Sequence, residues 1–172
     1  MDITQLILDD HAEQRRLFAI IEQIDPKDTD ALSAVWSRLS AFLDVHAEAE
    51  ERFFYPELLK QGEGANDAED GTVEGETEDA IEDHNKLRDA VKAVEKHKVG
   101  TKAWFDAVGE ANVVNSKHMG EEERQGLTDF RMNADIETRH ALAVKFAAFE
   151  ADHLTGVKPV NKDPETYIDQ HA

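Results

Sequence analysis

Two pairs of side chains in this sequence have the types and the spacing of metal ligands. His46 is followed four residues later by Glu50, and His118 is followed four residues later by Glu122. Positions four apart on an α-helix lie on one face, one turn apart, so each pair directs an imidazole and a carboxylate the same way. The spacing therefore predicts two helix faces that can each supply a nitrogen and an oxygen ligand.

Both pairs lie on apolar stripes with helical spacing, and His11 and His84 lie on two further stripes. An ionised carboxylate in a core is costly unless it is paired or bound to a metal. One histidine on such a stripe is usually a core residue satisfied by one hydrogen bond, but four of them with two glutamates favour a ligand set. The predicted ligands are His11, His46, Glu50, His84, His118 and Glu122.

The composition of this set narrows the metal. Six ligands are too many for one tetrahedral zinc, and four imidazoles are unlike the oxygen-rich shells of calcium and magnesium. Two bridging glutamates, with two histidines on each of two ions, would leave positions for an oxo or hydroxo bridge and an outside ligand. Mixed nitrogen and oxygen donors that leave some coordination positions unfilled suit redox-active iron. Manganese and zinc remain alternative metals.

Two other metal patterns fail on spacing. An EF-hand loop beginning at Asp67 would need glycine at its sixth position, where the sequence has Thr72. The Glu-x-x-His pattern of ferritin-like bundles occurs at Glu137 and at Glu150. Both copies fall on one predicted helix, about 20 Å apart at 1.5 Å per residue, and cannot converge.

The spacing predicts five helices, over residues 2–24, 28–59, 77–98, 101–126 and 134–153. Pro56 has no N–H to donate, so a bend near Tyr55 is expected in the second helix. Residues 61–79 contain four glycines and eight acidic residues and predict an acidic loop. Residues 156–172 predict an irregular tail after a single domain over residues 1–155.

The first four helices have the pattern of a duplicated hairpin. His11 and His84 are 73 residues apart, and His46 and His118, like Glu50 and Glu122, are 72 residues apart. Two such hairpins predict an all-α, up-down four-helix bundle, whose interior is a common place for metal sites. The fifth helix would be an addition to it.

Charge and composition exclude several partners. The chain has 38 acidic and 19 basic residues, a formal charge of −19, which disfavours nucleic acid and anionic membrane surfaces. It has no cysteine, and thus no disulfide or thiolate site. The N-terminus has acid where a signal peptide needs base, and no stretch is long enough to span a membrane, so a cytoplasmic location is expected.

The sequence resembles the hemerythrin-like, HHE cation-binding family, and in layout its actinobacterial branch. The matching residues, within about residues 1–126, are Asp10–His11, His46, Glu50–Glu51, Phe54–Pro56, Asp83–His84, His118 and Glu122–Glu123. The resemblance implies a bundle holding two non-haem irons. It makes His11, His46, His84 and His118 terminal ligands, with Glu50 and Glu122 as bridges.

The sequence departs from the oxygen-carrying members of that family. These use a fifth histidine on the third helix, but Ala80 and Arg88 lie four residues either side of His84. Tyr55 is a candidate to fill the vacancy if the break at Pro56 turns it inward. A site one ligand short favours reaction with oxygen or peroxide over reversible oxygen carriage.

The function implied by the resemblance is catalase-like decomposition of hydrogen peroxide. The alternatives are a module that binds or senses O2, NO or iron without turnover, and, less favoured, iron storage. The expected partners are small molecules, namely H2O2, O2 and NO.

Overall fold

Eight α-helices follow one another in the computed structural model, which describes residues 1–64 and 71–172. They are α1 (Ile3–Gln23), α2 (Thr29–Ala49), α3 (Tyr55–Gln61), α4 (Val73–Val94), α5 (Lys102–Arg124), α6 (Gly126–Asn133), α7 (Ile136–Asp152) and α8 (Pro164–His171). A π-helix, Glu50–Phe54, joins α2 to α3. These two ranges contain no strand, which confirms the predicted all-α class.

Polar caps explain where the bundle helices begin. Asp2, Asp28 and Thr101 each accept a hydrogen bond from a backbone N–H in the first turn of α1, α2 and α5. Such caps satisfy N–H groups that have no partner within the helix. The predicted starts of these three helices are confirmed.

The bundle consists of two hairpins, α1–α2 and α4–α5, which run up and down as the duplication predicts. The turns of the two hairpins meet at Gly100, whose φ is +79°. A Cβ added there would lie 2.3 Å from the carbonyl oxygen of Pro26. Only glycine fits both that backbone conformation and that close approach.

Two apolar clusters fill the interior, and the polar stripe residues lie between them. One cluster is built around Trp104 and Leu39 of the bundle helices. The other includes Ile7 and Phe54 and extends to Phe146 of α7. Along α1, His11 lies between Ile7 of one cluster and residues of the other, so the candidate ligands form a polar layer inside the core.

The predicted acidic loop over residues 61–79 is wrong at its second half. Thr72 caps α4 by accepting from the N–H of Gly75, so the helix begins at Val73 rather than near Thr77. Val73 and Thr77 are buried, and this apolar face outweighs the glycine and acid content of the segment. Residues 65–70 of the predicted loop lie outside the described residues.

The predicted irregular tail is irregular only as far as Asp163, and the prediction is wrong for the residues that follow. Asp163 caps α8, with Pro164 in its first turn. Tyr167 of α8 is 5 % exposed, because α8 packs against α3 and α4. The fifth predicted helix is confirmed as α7, packed on α1 and α2, whereas α6 was not predicted.

Candidate metal centre

One histidine from each bundle helix projects into the polar layer. His11, His46, His84 and His118 come from α1, α2, α4 and α5, and all four are at most 3 % exposed. Glu50 and Glu122 are buried with them. The structure thus brings together all six residues that the stripes singled out.

The two histidines of the first hairpin converge on one oxygen of Glu50. His46 Nε2 is 2.8 Å from Glu50 Oε1, and His11 Nε2 is 3.9 Å from the same atom. Glu122 approaches this side too, with Oε2 at 3.2 Å from His11 Nε2. His11, His46 and Glu50 form a group whose ligand atoms lie close enough to hold one cation.

The two histidines of the second hairpin converge on the other oxygen of Glu50. His84 Nε2 is 3.1 Å and His118 Nε2 is 3.9 Å from Glu50 Oε2. The two Nε2 atoms are 3.0 Å apart, a distance that two ring nitrogens tolerate when a proton or a cation lies between them. Glu50 therefore belongs to both groups of three.

Several of these buried atoms have no hydrogen-bond partner. Within residues 1–64 and 71–172 this holds for Nε2 of His11 and His46, both oxygens of Glu50 and Oε2 of Glu122. Some of them nevertheless lie close together, with His46 Nε2 2.8 Å from Glu50 Oε1 and His11 Nε2 3.2 Å from Glu122 Oε2, so a proton on the imidazole can also pair them. Orphaned buried nitrogen and oxygen atoms are costly, and a bound cation would satisfy them. The residues present fit a metal.

Three of the imidazoles are positioned by carboxylates that contact Nδ1, the ring nitrogen directed away from the centre. His46 Nδ1 lies 3.2 Å from Asp10, His84 Nδ1 lies 2.8 Å from Glu51, and His11 Nδ1 lies 3.0 Å from Glu123. When Nδ1–H donates to a carboxylate, the lone pair of Nε2 is free for a metal. These roles were not predicted from the sequence, although each acid is the chain neighbour of a candidate ligand.

The local charges determine the protonation of the metal-free centre. Burial alone would lower the pKa of the His11 imidazole, but the carboxylates of Glu122, Glu123 and Glu50 outweigh it and raise that pKa to about 10. Burial opposes the charge of Glu50 as well, yet the nearby His46 holds the pKa of that carboxyl well below its usual range. A cation would have to displace protons from the imidazoles to bind.

Tyr55 reaches the centre because of the π-helix. The wider turn is closed by the Tyr55 N–H donating to the carbonyl of Glu50, five residues back, next to Pro56. An ideal helix would direct Tyr55 away from His46, whereas here its hydroxyl donates to Glu122 Oε1 at 2.7 Å. A π-helix occupies the place where the bend was predicted, and the role of Tyr55 as a metal ligand stays a prediction.

A small cavity lies beside the second histidine pair. Its volume is about 20 Å³, and Tyr55, Asp83, His118 and Glu122 contribute to its lining. A cavity of this size holds about one water molecule or a ligand of similar size. Small molecules could therefore stand next to the candidate ligands.

The remaining histidines do not join the centre. His153 Nδ1 donates to the carbonyl of Phe149, and His171 Nδ1 donates to that of Tyr167, both near helix ends. Glu150 of α7 belongs to the second Glu-x-x-His pattern, and it lies beside Asp10 and His46. Burial and the Asp10 charge raise the pKa of Glu150 to about 8.

An all-α bundle with a buried layer of histidines and glutamates, fitted to a cation, defines a helical cation-binding protein. The model of the hemerythrin HHE cation binding domain matches residues 2–128, and the chain belongs to that family. Comparison with curated proteins and with solved structures gave no significant match. The family match ends before α7 and α8 begin. Among the described helices, none has the length and apolar character needed to cross a bilayer.

Proposed function

We propose that this chain is a non-haem di-iron protein that decomposes hydrogen peroxide in a catalase-like reaction. The observation that carries the proposal is the sharing of Glu50 between two histidine pairs. His11 and His46 would hold one ion with Glu50 Oε1, and His84 and His118 would hold the other with Glu50 Oε2. Glu122 is proposed as the second bridge.

The small number of protein ligands favours a metal centre that can bind and react with a substrate over one whose coordination positions are all filled by the protein. Two imidazoles and shared carboxylate oxygens leave positions free on ions that accept up to six ligands. The cavity of about 20 Å³ beside His118 and Glu122 suits a peroxide or dioxygen molecule rather than an organic substrate. A pair of iron ions, when bound, supplies a two-electron redox couple.

The reaction converts two molecules of hydrogen peroxide into one O2 and two waters. One peroxide loses two electrons and two protons to become O2, and the other gains them while its O–O bond breaks. The chain must hold those protons between the two half-reactions. The carboxylates of Asp83 and Glu121 also border the cavity, lie outside the proposed ligand set, and can each take up one proton, while the Tyr55 hydroxyl donates to Glu122 Oε1 at 2.7 Å.

Oxygen release from peroxide tests this function. Iron-loaded protein should evolve O2 in an oxygen electrode, and metal-free protein should not. Zinc-loaded protein is the matched control, because zinc accepts the same ligands but has no redox chemistry. Turnover that persists without iron, or that is equal with zinc, would rule the proposal out.

A cavity of about 20 Å³ does not distinguish peroxide from O2 or NO, which makes binding or sensing without turnover the second candidate. A stable complex of O2 with the reduced, iron-loaded protein, together with no O2 release from peroxide, would select it. A cytoplasmic location and the use of iron rather than manganese or zinc belong to the proposal in either case.

Replacing Tyr55 with phenylalanine tests the extra ligand. Burial, followed by the charges of Glu122 and Glu50, raises the pKa of Tyr55 well above its usual value, so the metal-free phenol is neutral. A cation held by Glu122 reverses this preference, since coordination favours the phenolate. We expect iron-loaded protein to show a phenolate-to-iron absorption band that Tyr55→Phe lacks. An unchanged spectrum would limit Tyr55 to hydrogen bonding Glu122.

A further inference from the structure

The C-terminal arm, residues 156–172, lies beyond the family match and yet reaches the layer of carboxylates behind the centre. The hydroxyl of Tyr167 donates to the backbone carbonyl of Glu51 at 2.6 Å. Lys162 Nζ forms an ion pair with Glu51 Oε2. Both contacts end on the residue that follows Glu50 in the chain.

The backbone of the arm is held at the same place. The N–H of Lys162 donates to Asn85 Oδ1 at 2.9 Å, and Asn85 Nδ2 donates to the carbonyl of Lys162 at 2.6 Å. Asn85 directly follows His84 on α4. The arm is therefore fixed on both sides of the contact between Glu51 and His84.

Glu51 needs these partners because its side chain is fully buried. Its Oε1 accepts from His84 Nδ1 at 2.8 Å and from Arg88 Nη2 at 2.7 Å. The positively charged Lys162 ammonium group pairs with the other oxygen of Glu51, Oε2. A buried carboxylate that loses one of its charged partners is free to rotate or admits water, whereas an exposed pair of this kind contributes little.

We propose that Lys162 is a positioning residue of the metal centre, and that the docked C-terminal arm strengthens the binding of one cation through Glu51 and His84. By holding Glu51, Lys162 fixes the His84 ring with Nε2 directed at Glu50 Oε2. His118 and Glu50 complete that half of the site. In the other half, His11 and His46 are held by Glu123 and Asp10 rather than by Glu51.

Coupling of this kind works in both directions. If the docked arm strengthens cation binding by some factor, the bound cation must strengthen docking by the same factor. Lys162 and Tyr167 are not among the candidate ligands. If metal binding slows amide exchange in α8, the effect would therefore be transmitted through Glu51 rather than through direct contact between α8 and the metal.

The experiment compares Lys162→Met with Lys162→Arg and with the control Lys158→Met, which changes an exposed lysine of the same arm. Each full-length protein is titrated with Co²⁺, and the two binding steps are followed by absorption and calorimetry. We expect Lys162→Met to weaken one step by about 10- to 100-fold, as for other outer-shell partners of metal ligands, and to leave the other step unchanged. Lys162→Arg should retain both affinities, as should Lys158→Met.

Amide exchange of α8 supplies the second readout. Co²⁺ should slow exchange in residues 164–171 of the unaltered protein and fail to do so in Lys162→Met. The inference would be overturned if Lys162→Met weakened both binding steps equally or weakened neither. It would also be overturned if Co²⁺ did not change the rate of amide exchange in α8. If Lys162→Met does not fold, Tyr167→Phe is tested in the same way, because it removes only the hydroxyl that donates to the Glu51 carbonyl.

This inference rests on cation binding by the proposed ligands and not on peroxide turnover. Protein that takes up two Co²⁺ with the expected dependence on Lys162, but releases no O2 when loaded with iron, would refute the catalase-like function and leave the arm's role intact. The reverse result would refute the role of Lys162 alone.

Discussion

Replacing Glu50 with glutamine is expected to remove both bound cations at once. Glu50 Oε1 lies 2.8 Å from His46 Nε2, and Glu50 Oε2 lies 3.1 Å from His84 Nε2, so one side chain serves both halves of the centre. Glutamine keeps the volume and loses the charge. We expect affinity for each ion to fall beyond the roughly 100-fold that marks the upper range for outer-shell partners, and O2 release to fall to the metal-free level.

Metal analysis and Co²⁺ titration measure this loss, with Glu22→Gln on the exposed face of α1 as the matched control. Glu122→Gln is the informative comparison. Glu122 contacts His11 at 3.2 Å, so its loss should weaken the first-hairpin half. Glu122→Gln should also weaken cation binding at His84 and His118 only if Glu122 bridges the two ions. A Glu50→Gln protein that still binds one ion with unchanged affinity would contradict the shared role of Glu50.

Metal-free and metal-loaded protein are expected to respond to pH in opposite directions. In the metal-free protein the pKa of His11 rises from 6.5 to about 10, because burial is outweighed by Glu122, Glu123 and Glu50. A pKa raised by folding stabilises the protein fully below 6.5, and this stabilisation is lost as pH rises towards 10. The pKa values of His46 and His84 are raised in the same direction, against their burial.

A bound cation reverses this trend because it needs deprotonated imidazoles, so its stabilising effect grows as protons become scarce. Thermal unfolding between about pH 6.5 and 9.5, with and without Zn²⁺, gives the two curves. A tenfold difference in proton affinity between the folded and unfolded states corresponds to about 1.4 kcal/mol, and each kcal/mol to about 2–4 °C in Tm for a chain of this size. Metal-free protein that becomes more stable over this range would contradict the charge balance described for the centre.

A cation is only one of two ways to pair a buried carboxylate such as Glu50. In the metal-free protein, the protonated imidazole of His46 does the same. We therefore expect metal binding to replace protons at this centre, and we expect the protein to fold without metal because the protonated imidazoles pair with the buried carboxylates.

Much of the bundle could be read from the sequence because the relevant signals are local. The stripe through His46 and Glu50 is a property of one helix, since residues four apart share a face whatever surrounds them. Caps such as Asp28 and Thr101 act within one turn. The duplication then implies that two similar hairpins pack together. These features suffice for the fold class, for the starts of α1, α2 and α5, and for the prediction that the six candidate ligands face the bundle interior.

Three features could not be read from local spacing. Glu123 holds His11 across 112 positions of the chain, and such pairings depend on how α1 and α5 cross rather than on any local spacing. Tyr55 turns inward because a π-helix adds a residue to one turn; Pro56 marks where the helix is disrupted, but periodicity does not determine the form of the disruption. The segment that forms α8 contains few apolar residues, and it docks because Lys162 and Tyr167 contact Glu51 on the bundle. Local pattern determines which side chains face inward, but only the packed structure determines which of them meet.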